Sequence, residues 1–246
     1  MSTTRRLWNV AHRGASADRP ENTIAAFELA IAQGADVVEC DVRATSDGAL
    51  LVLHDALLDR TTSGAGALRE MTAVTARALD AGDGERIPRL GEVLELARGR
   101  VRVNVDLKEA DVVEQAVATV RDAEMIDDVT FISFLPEVWE LLETLTPESP
   151  CIHLLDSAAA LASLAMGDAG TTSVAAGVGV PCSIVNEGMV GHLHRHGFAV
   201  FAWTVDDPQE MRRLIDCDIN GIVTNRPAAL AEVIRTSYAP GGTAAP

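Results

Sequence analysis

Two histidines, His12 and His54, bracket a stretch in which Glu39 and Asp41 alternate with apolar residues, and a third carboxylate, Asp106, stands two places before Lys108. Glu39 and Asp41 belong to Asp36-Val-Val-Glu-Cys-Asp-Val42, a β-branched run that reads as a strand. Side chains alternate along a strand, so the two carboxylates share one face and Val38, Cys40 and Val42 the other. On a solvated face the pair would be unremarkable. If both faces are covered, two negative charges are forced together, and a hard divalent cation with oxygen ligands is their natural partner. Val101-Arg-Val-Asn-Val-Asp-Leu-Lys108 alternates in the same way and puts Asn104, Asp106 and Lys108 on one face. Lys108 is the single lysine of the chain, the other basic residues being arginines. Carboxylates holding a cation, Arg13 and Lys108 spreading positive charge, and two histidines able to take and give protons suit phosphodiester cleavage.

These residues need a scaffold that brings separate strands to one rim. Leu7–His12 reads as a short strand, and Pro20-Glu-Asn-Thr23 opens a helix that Gly34 ends. Glu21 is expected at that helix start, where a carboxylate suits the dipole. Asp47-Gly48 turns the chain into a returning strand, Leu50–His54. Residues 63–88 are Gly-rich and irregular, with a short helix at 72–79, and are expected to form a cap-like insertion after the second strand. A helix at 90–97 follows, and from Val101 strand and helix patterns alternate to Thr236. Parallel strands starting at Leu7, Val37, Val101, Val129, Cys151, Val174, Phe198 and Gly221 give eight β/α units. The strand at Val174 is the weakest, because Gly177 and Gly179 interrupt it. Eight units in about 250 residues match a closed TIM-type barrel, whose active site lies at the C-terminal strand ends. No GxGxxG turn marks an open dinucleotide-binding sheet. The rim then carries His12, Arg13, Glu39, Asp41, Asp106, Lys108, Trp203, Thr204, Thr224 and Asn225. One barrel domain over residues 1–237 is expected, with a disordered tail at 238–246.

Composition narrows the partners. The 246 residues are 48% hydrophobic but only 4% aromatic, so the core must be built from small aliphatic side chains. A formal net charge of −16 disfavours nucleic acid and anionic membrane, and leaves any phosphate ligand to a local cluster of cations. Four cysteines without a CxxC pair point to reduced thiols and a cytoplasmic protein. No signal-peptide pattern precedes the first strand, and no segment is long and apolar enough to span a bilayer. His192-x-His194-x-His196 is read as an exposed helix rather than a zinc site, since only two of the three share a face.

The motifs His12-Arg13-Gly14, Pro20-Glu21-Asn22-Thr23, Glu39-x-Asp41, Thr45-x-Asp47-Gly48, His54-Asp55, Leu58-x-Arg60-Thr61-Thr62, Trp203-Thr204-Val205 and Gly221-Ile-Val-Thr224 resemble the glycerophosphodiester phosphodiesterase family. The resemblance implies an α/β barrel that hydrolyses deacylated phospholipids to sn-glycerol 3-phosphate and an alcohol. It implies that His12 and His54 act as acid and base, and that Glu39 and Asp41 hold a divalent cation with a third-strand carboxylate. That cation would be Mg²⁺ or Ca²⁺, with Mn²⁺ an alternative. It further implies attack by the neighbouring glycerol hydroxyl, giving a cyclic phosphate that water opens. Arg13, Lys108 and Trp203 are expected to contact the substrate. Two positions depart from the family pattern: Asp106 replaces a glutamate whose reach is about 1.5 Å longer, and Asn225 replaces an aspartate. A phospholipase D-type barrel acting on intact lipids, and a catalytically inactive phosphodiester-binding protein, are the competing readings.

Overall fold

The computed structural model describes residues 6–165 and 175–238. Nine strands form one sheet: β1 (Trp8–His12), β2 (Val37–Ala44), β3 (Leu50–Val52), β4 (Arg102–Leu107), β5 (Val129–Ser133), β6 (Cys151–Leu154), β7 (Ala175–Pro181), β8 (Ala199–Trp203) and β9 (Gly221–Thr224). All but β3 pair in parallel in the order β1-β9-β8-β7-β6-β5-β4-β2, and β1 also pairs with β2, which closes an eight-stranded barrel. β3 is the antiparallel return of the Asp47-Gly48 turn, as expected. The helices are α1 (Ile24–Ala32), α2 (Ala73–Ala76), α3 (Leu90–Ala97), α4 (Val113–Asp122) and α5 (Pro136–Leu145). They continue as α6 (Ala158–Ala165), α7 (Glu187–Arg195), α8 (Pro208–Asp216) and α9 (Pro227–Ser237). Val174, expected to start a strand, Met166, expected to end a helix begun at Ala158, and residues 239–246 of the expected tail lie outside the described residues.

The local signals account for the helix ends. Thr23 caps α1, its hydroxyl accepting from Ala26 N at 3.2 Å. Proline occupies the first position of α5, α8 and α9, where its fixed φ fits and its missing N–H costs nothing. The apolar face of β2, with Val38, Cys40 and Val42 fully buried, is covered by helices, so the opposite face points into the barrel. Glu39 and Asp41 are only 3% and 1% exposed, which excludes the solvated-face reading. The two glycines of β7 are explained by close approach. A Cβ on Gly177 would lie 2.6 Å from the Ala199 carbonyl oxygen, and one on Gly179 2.6 Å from the Leu154 side chain.

Residues 63–88, expected as a cap, hold α2 and a small apolar cluster of their own. Leu68, Ala76, Ala81 and Ile87 pack there against Leu51, Leu53 and Leu58. None of these residues lines the cavity at the barrel mouth.

Gly14 joins β1 to α1 under two constraints, a φ of +83° and a Cβ position 2.6 Å from the Ala26 carbonyl carbon. Gly14→Ala combines left-handed strain with overpacking and is expected to destabilise by about 2–4 kcal/mol. Urea unfolding measures this, and an unchanged midpoint would mean that the turn relaxes away from α1.

Candidate active site

Strand register assembles the acidic cluster. In the parallel ladders His12 stands opposite Glu39, Glu39 opposite Asn104 and Asp41 opposite Asp106. Residues in register on neighbouring parallel strands point to the same side of the sheet. The barrel therefore collects one oxygen from each of Glu39, Asp41 and Asp106 within 4.8 Å of one another, with all three residues buried. The shorter stem of Asp106 does not take it out of the cluster.

Two cations answer three carboxylates. Lys108 Nζ lies 2.8 Å from Asp41 Oδ1 and forms a second, shorter ion pair with Asp106 Oδ2. Arg13 Nε lies 3.1 Å from Asp41 Oδ2, and the Arg13 backbone N–H donates to Glu39 Oε2 at 2.9 Å. Burial opposes ionisation of Asp41, but Lys108, Arg13 and His54 outweigh it and hold its carboxyl well below the usual range. Burial, then the charges of Asp41 and Asp106, push Glu39 well above its ordinary value. Asp106 is pushed up to about 6 by burial, which Lys108 opposes and Asp41 reinforces. Burial works against the Lys108 ammonium, yet Asp41 and Asp106 raise its pKa. One Asp106 oxygen, Oδ1, is buried with no hydrogen-bond partner among the described residues. An all-oxygen donor set with one uncompensated negative charge and an unsatisfied oxygen fits a hard divalent cation.

The cluster lies at the wall of a cavity of about 190 Å³ in the barrel mouth, lined on one side by His12, Arg13, Glu39, Asp41, His54, Asp106 and Lys108. The other side is apolar, formed by Ile132, Phe134, Ile152, Leu154, Phe201 and Trp203. Phe134 and Trp203 meet edge to face, with centroids 5.6 Å apart. All eight residues expected at the site from the sequence line this cavity.

Each histidine has a partner on its Nδ1. His12 Nδ1 lies 2.8 Å from Asn225 Oδ1, and His54 Nδ1 lies 2.6 Å from Asp55 Oδ1. Burial lowers the pKa of both rings. For His12 the charge of Arg13 adds to that, whereas for His54 the negative charges of Asp41 and Asp55 work against it. Arg43 Nε donates to the His54 carbonyl at 2.7 Å and holds that loop against β2.

Sequence reasoning missed the supports behind these groups. Glu21, expected to serve the helix dipole, instead accepts from Arg13 Nη1 at 2.9 Å and from both terminal nitrogens of Arg60 at 2.8 Å. Arg60 Nε in turn donates to Asp55 Oδ2 at 2.5 Å, so the path His54–Asp55–Arg60–Glu21–Arg13–Asp41 is continuous. Asn22, with φ +60°, donates through Nδ2 to Asp41 Oδ2 at 2.7 Å. The motifs Pro20-Glu21-Asn22-Thr23 and Leu58-x-Arg60-Thr61-Thr62 contain these residues, but spacing alone gave no sign that they meet. His192 on α7 and His196 just after it face each other at a tilt, with ring centroids 4.4 Å apart, and the His196 ring places Nδ1 2.9 Å from the His192 carbonyl oxygen.

Comparison with known proteins places this geometry among relatives. The sequence pattern of the Glycerophosphoryl diester phosphodiesterase family matches residues 12–229. A glycerophosphodiester phosphodiesterase of Caldanaerobacter subterraneus is 34% identical over 92% of this chain and 97% of its own length. One from Bacillus subtilis is 30% identical over 90% of this chain and 84% of its own. Among solved structures, a glycerophosphodiester phosphodiesterase from Agrobacterium tumefaciens superposes with a TM-score of 0.79 at 32% identity, covering 91% of this chain and 98% of that one. A phosphodiesterase from Oleispira antarctica, in complex with the product sn-glycerol-3-phosphate, gives 0.80 at 26% identity over 92% and 95%.

The Arg60 bridge is separable from the cavity. Its hydrogen bond, with a smaller contribution from His54, lowers Asp55 to about 2. A depressed carboxylate stabilises the fold above its ordinary pKa of about 4, and the contribution disappears as pH falls through the folded value. Arg60→Ala is therefore expected to cost stability at neutral pH, about 1 kcal/mol for so exposed a bridge, and progressively less in acid. Urea unfolding at both pH values checks this, and a penalty independent of pH would remove the Asp55 ion pair as its cause.

Proposed function

The chain belongs to the Glycerophosphoryl diester phosphodiesterase family, and we propose that it hydrolyses glycerophosphodiesters, the deacylated phospholipids, to sn-glycerol 3-phosphate and an alcohol. The observation that carries this reading is the meeting of three buried carboxylates, two cations and two histidines on one wall of one cavity. The Oleispira relative, complexed with sn-glycerol-3-phosphate, supports the identity of the product.

Glu39, Asp41 and Asp106 would hold the divalent cation, Mg²⁺ or Ca²⁺ by their oxygen chemistry and Mn²⁺ as an alternative. Such an ion supplies positive charge beside the phosphoryl oxygens as the phosphorus becomes five-coordinate. Lys108 and Arg13 add fixed positive charge at the same wall, already in place before reaction. His12 and His54 exchange protons with the reacting oxygens: one ring accepts from the neighbouring glycerol hydroxyl as it attacks, and the other donates to the departing alkoxide. The resulting cyclic phosphate is opened by water with the two roles reversed. The apolar side, with Trp203 and Phe134, borders the carbon groups of the substrate. Two rings, each held through Nδ1 and each with Nε2 left over, support catalysis over mere binding, because a phosphodiester-binding protein needs no such pair.

Purified protein is expected to release sn-glycerol 3-phosphate from glycerophosphocholine, to lose activity in EDTA and to regain it with Mg²⁺, Ca²⁺ or Mn²⁺. His12→Ala and His54→Ala should each lower kcat by about 10²–10⁴-fold with the fold intact. A metal-loaded wild type that turns over no glycerophosphodiester would overturn the reading, and a histidine variant with normal kcat would remove that residue from the mechanism.

Asp106 tests the metal site. Calorimetric titration with Mn²⁺ is expected to show Asp106→Asn weakened beyond the roughly 10–100-fold typical of an outer-sphere partner, while Asp106→Glu keeps tight binding. Equal affinity in wild type and Asp106→Asn would mean that Asp106 serves Lys108 alone.

A further inference from the structure

The polar residues behind His12 decide which of its nitrogens carries the proton. Asp206 follows β8, and its carboxylate accepts from Asn225 Nδ2 at 2.7 Å, from Asn225 N at 2.8 Å and from Thr224 Oγ1 at 2.9 Å. A carboxylate only accepts, so the Asn225 amide cannot be flipped: its nitrogen must face Asp206 and its oxygen must face away. That oxygen lies 2.8 Å from His12 Nδ1 and 2.8 Å from Ser16 Oγ. Ser16 Oγ is also 2.7 Å from the His12 carbonyl. An amide oxygen has no proton to give, so the ring nitrogen facing it must be the donor. His12 thus carries its proton on Nδ1 and keeps the Nε2 lone pair for the cavity.

We propose that Asn225, fixed by Asp206, is a positioning residue that locks His12 as the Nδ1–H tautomer and thereby makes His12 the base of the first step. This rests on the phosphodiesterase reading above. In that step the attacking glycerol hydroxyl gives its proton to His12 Nε2 as its oxygen bonds to phosphorus, and the ring becomes an imidazolium. His54, whose Nδ1 rests on the Asp55 carboxylate, holds the second proton and releases it from Nε2 to the alkoxide as the phosphorus–alcohol bond breaks. Water opening the cyclic phosphate returns a proton to His54, and His12 Nε2 gives its own back to the glycerol oxygen. Both rings are then reset. The neutral amide suits the base, because a carboxylate at position 225 would favour the charged ring before the reaction starts.

Nitrogen-15 NMR of labelled full-length protein reads the tautomer directly, with His12→Ala identifying the signal. Wild type is expected to show Nδ1 protonated and Nε2 bare at neutral pH. Asn225→Ala should mix the tautomers and lower kcat by about 10–100-fold, with KM nearly unchanged. The double variant Asp206→Asn/Asn225→Asp exchanges amide and carboxylate but keeps an acceptor on Nδ1, so it should restore the tautomer of the neutral ring while kcat recovers only in part, because the carboxylate favours the charged ring. A wild-type His12 protonated on Nε2, or an Asn225→Ala enzyme with wild-type tautomer and kcat, would overturn the proposal. The wild-type spectrum needs no turnover, so an inactive enzyme with a locked His12 would overturn only the phosphodiesterase reading.

Discussion

Three carboxylates buried side by side repel one another, and the architecture around the barrel mouth answers that repulsion. Burial removes the solvent that would screen Glu39, Asp41 and Asp106, so each charge needs a counter-charge or a proton. Lys108 and Arg13 supply two positive charges, which leaves the cluster short by one. The raised values of Glu39 and Asp106 mark that deficit, and a divalent cation would fill it. The cost of assembling such a cluster is met by the rest of the barrel, whose strands otherwise bury mainly valine, isoleucine, leucine and alanine.

The barrel was legible because its signals are local. Alternation of polar and apolar residues marked β2 and β4, prolines and Thr23 marked helix starts, and the count of strand–helix units gave the closed fold. That the eight expected residues would share one cavity was legible for the same reason, since a barrel puts strand ends at one rim, although His54 reaches it from the loop after β3. The supports were not. Glu21 and Arg60 are 39 residues apart, and Asp206 and Asn225 belong to successive strand–loop units. Their contacts depend on loop paths that no periodicity encodes. β7 shows the converse case: Gly177 and Gly179 weakened the strand signal for the reason that makes them fit, the nearness of Ala199 and Leu154.

The two departures from the family pattern have different standing in the structure. Asp106 keeps its place in the acidic cluster because register, and not side-chain length, sets it beside Asp41. Asn225 removes a negative charge behind His12, yet the carboxylate of Asp206 stands directly behind the amide. The charge is displaced outward by one side chain. The hydrogen-bond chain reaching the ring is preserved while the field at the ring changes.

Lys108 carries a consequence that lies outside catalysis. It is the only side-chain amine in a molecule whose other cations are guanidinium groups, it is 12% exposed, and two carboxylates grip its ammonium. Reagents that acylate or cross-link lysine act on the neutral amine, and here that form is both scarce and shielded. Succinimidyl dyes, glutaraldehyde and enzymatic acetylation therefore meet an exterior with no lysine handle. Any reaction that did reach Lys108 would delete one of the two cations balancing the acidic cluster, so chemical labelling of this protein is better directed to its exposed carboxylates, since three of its four cysteines are buried.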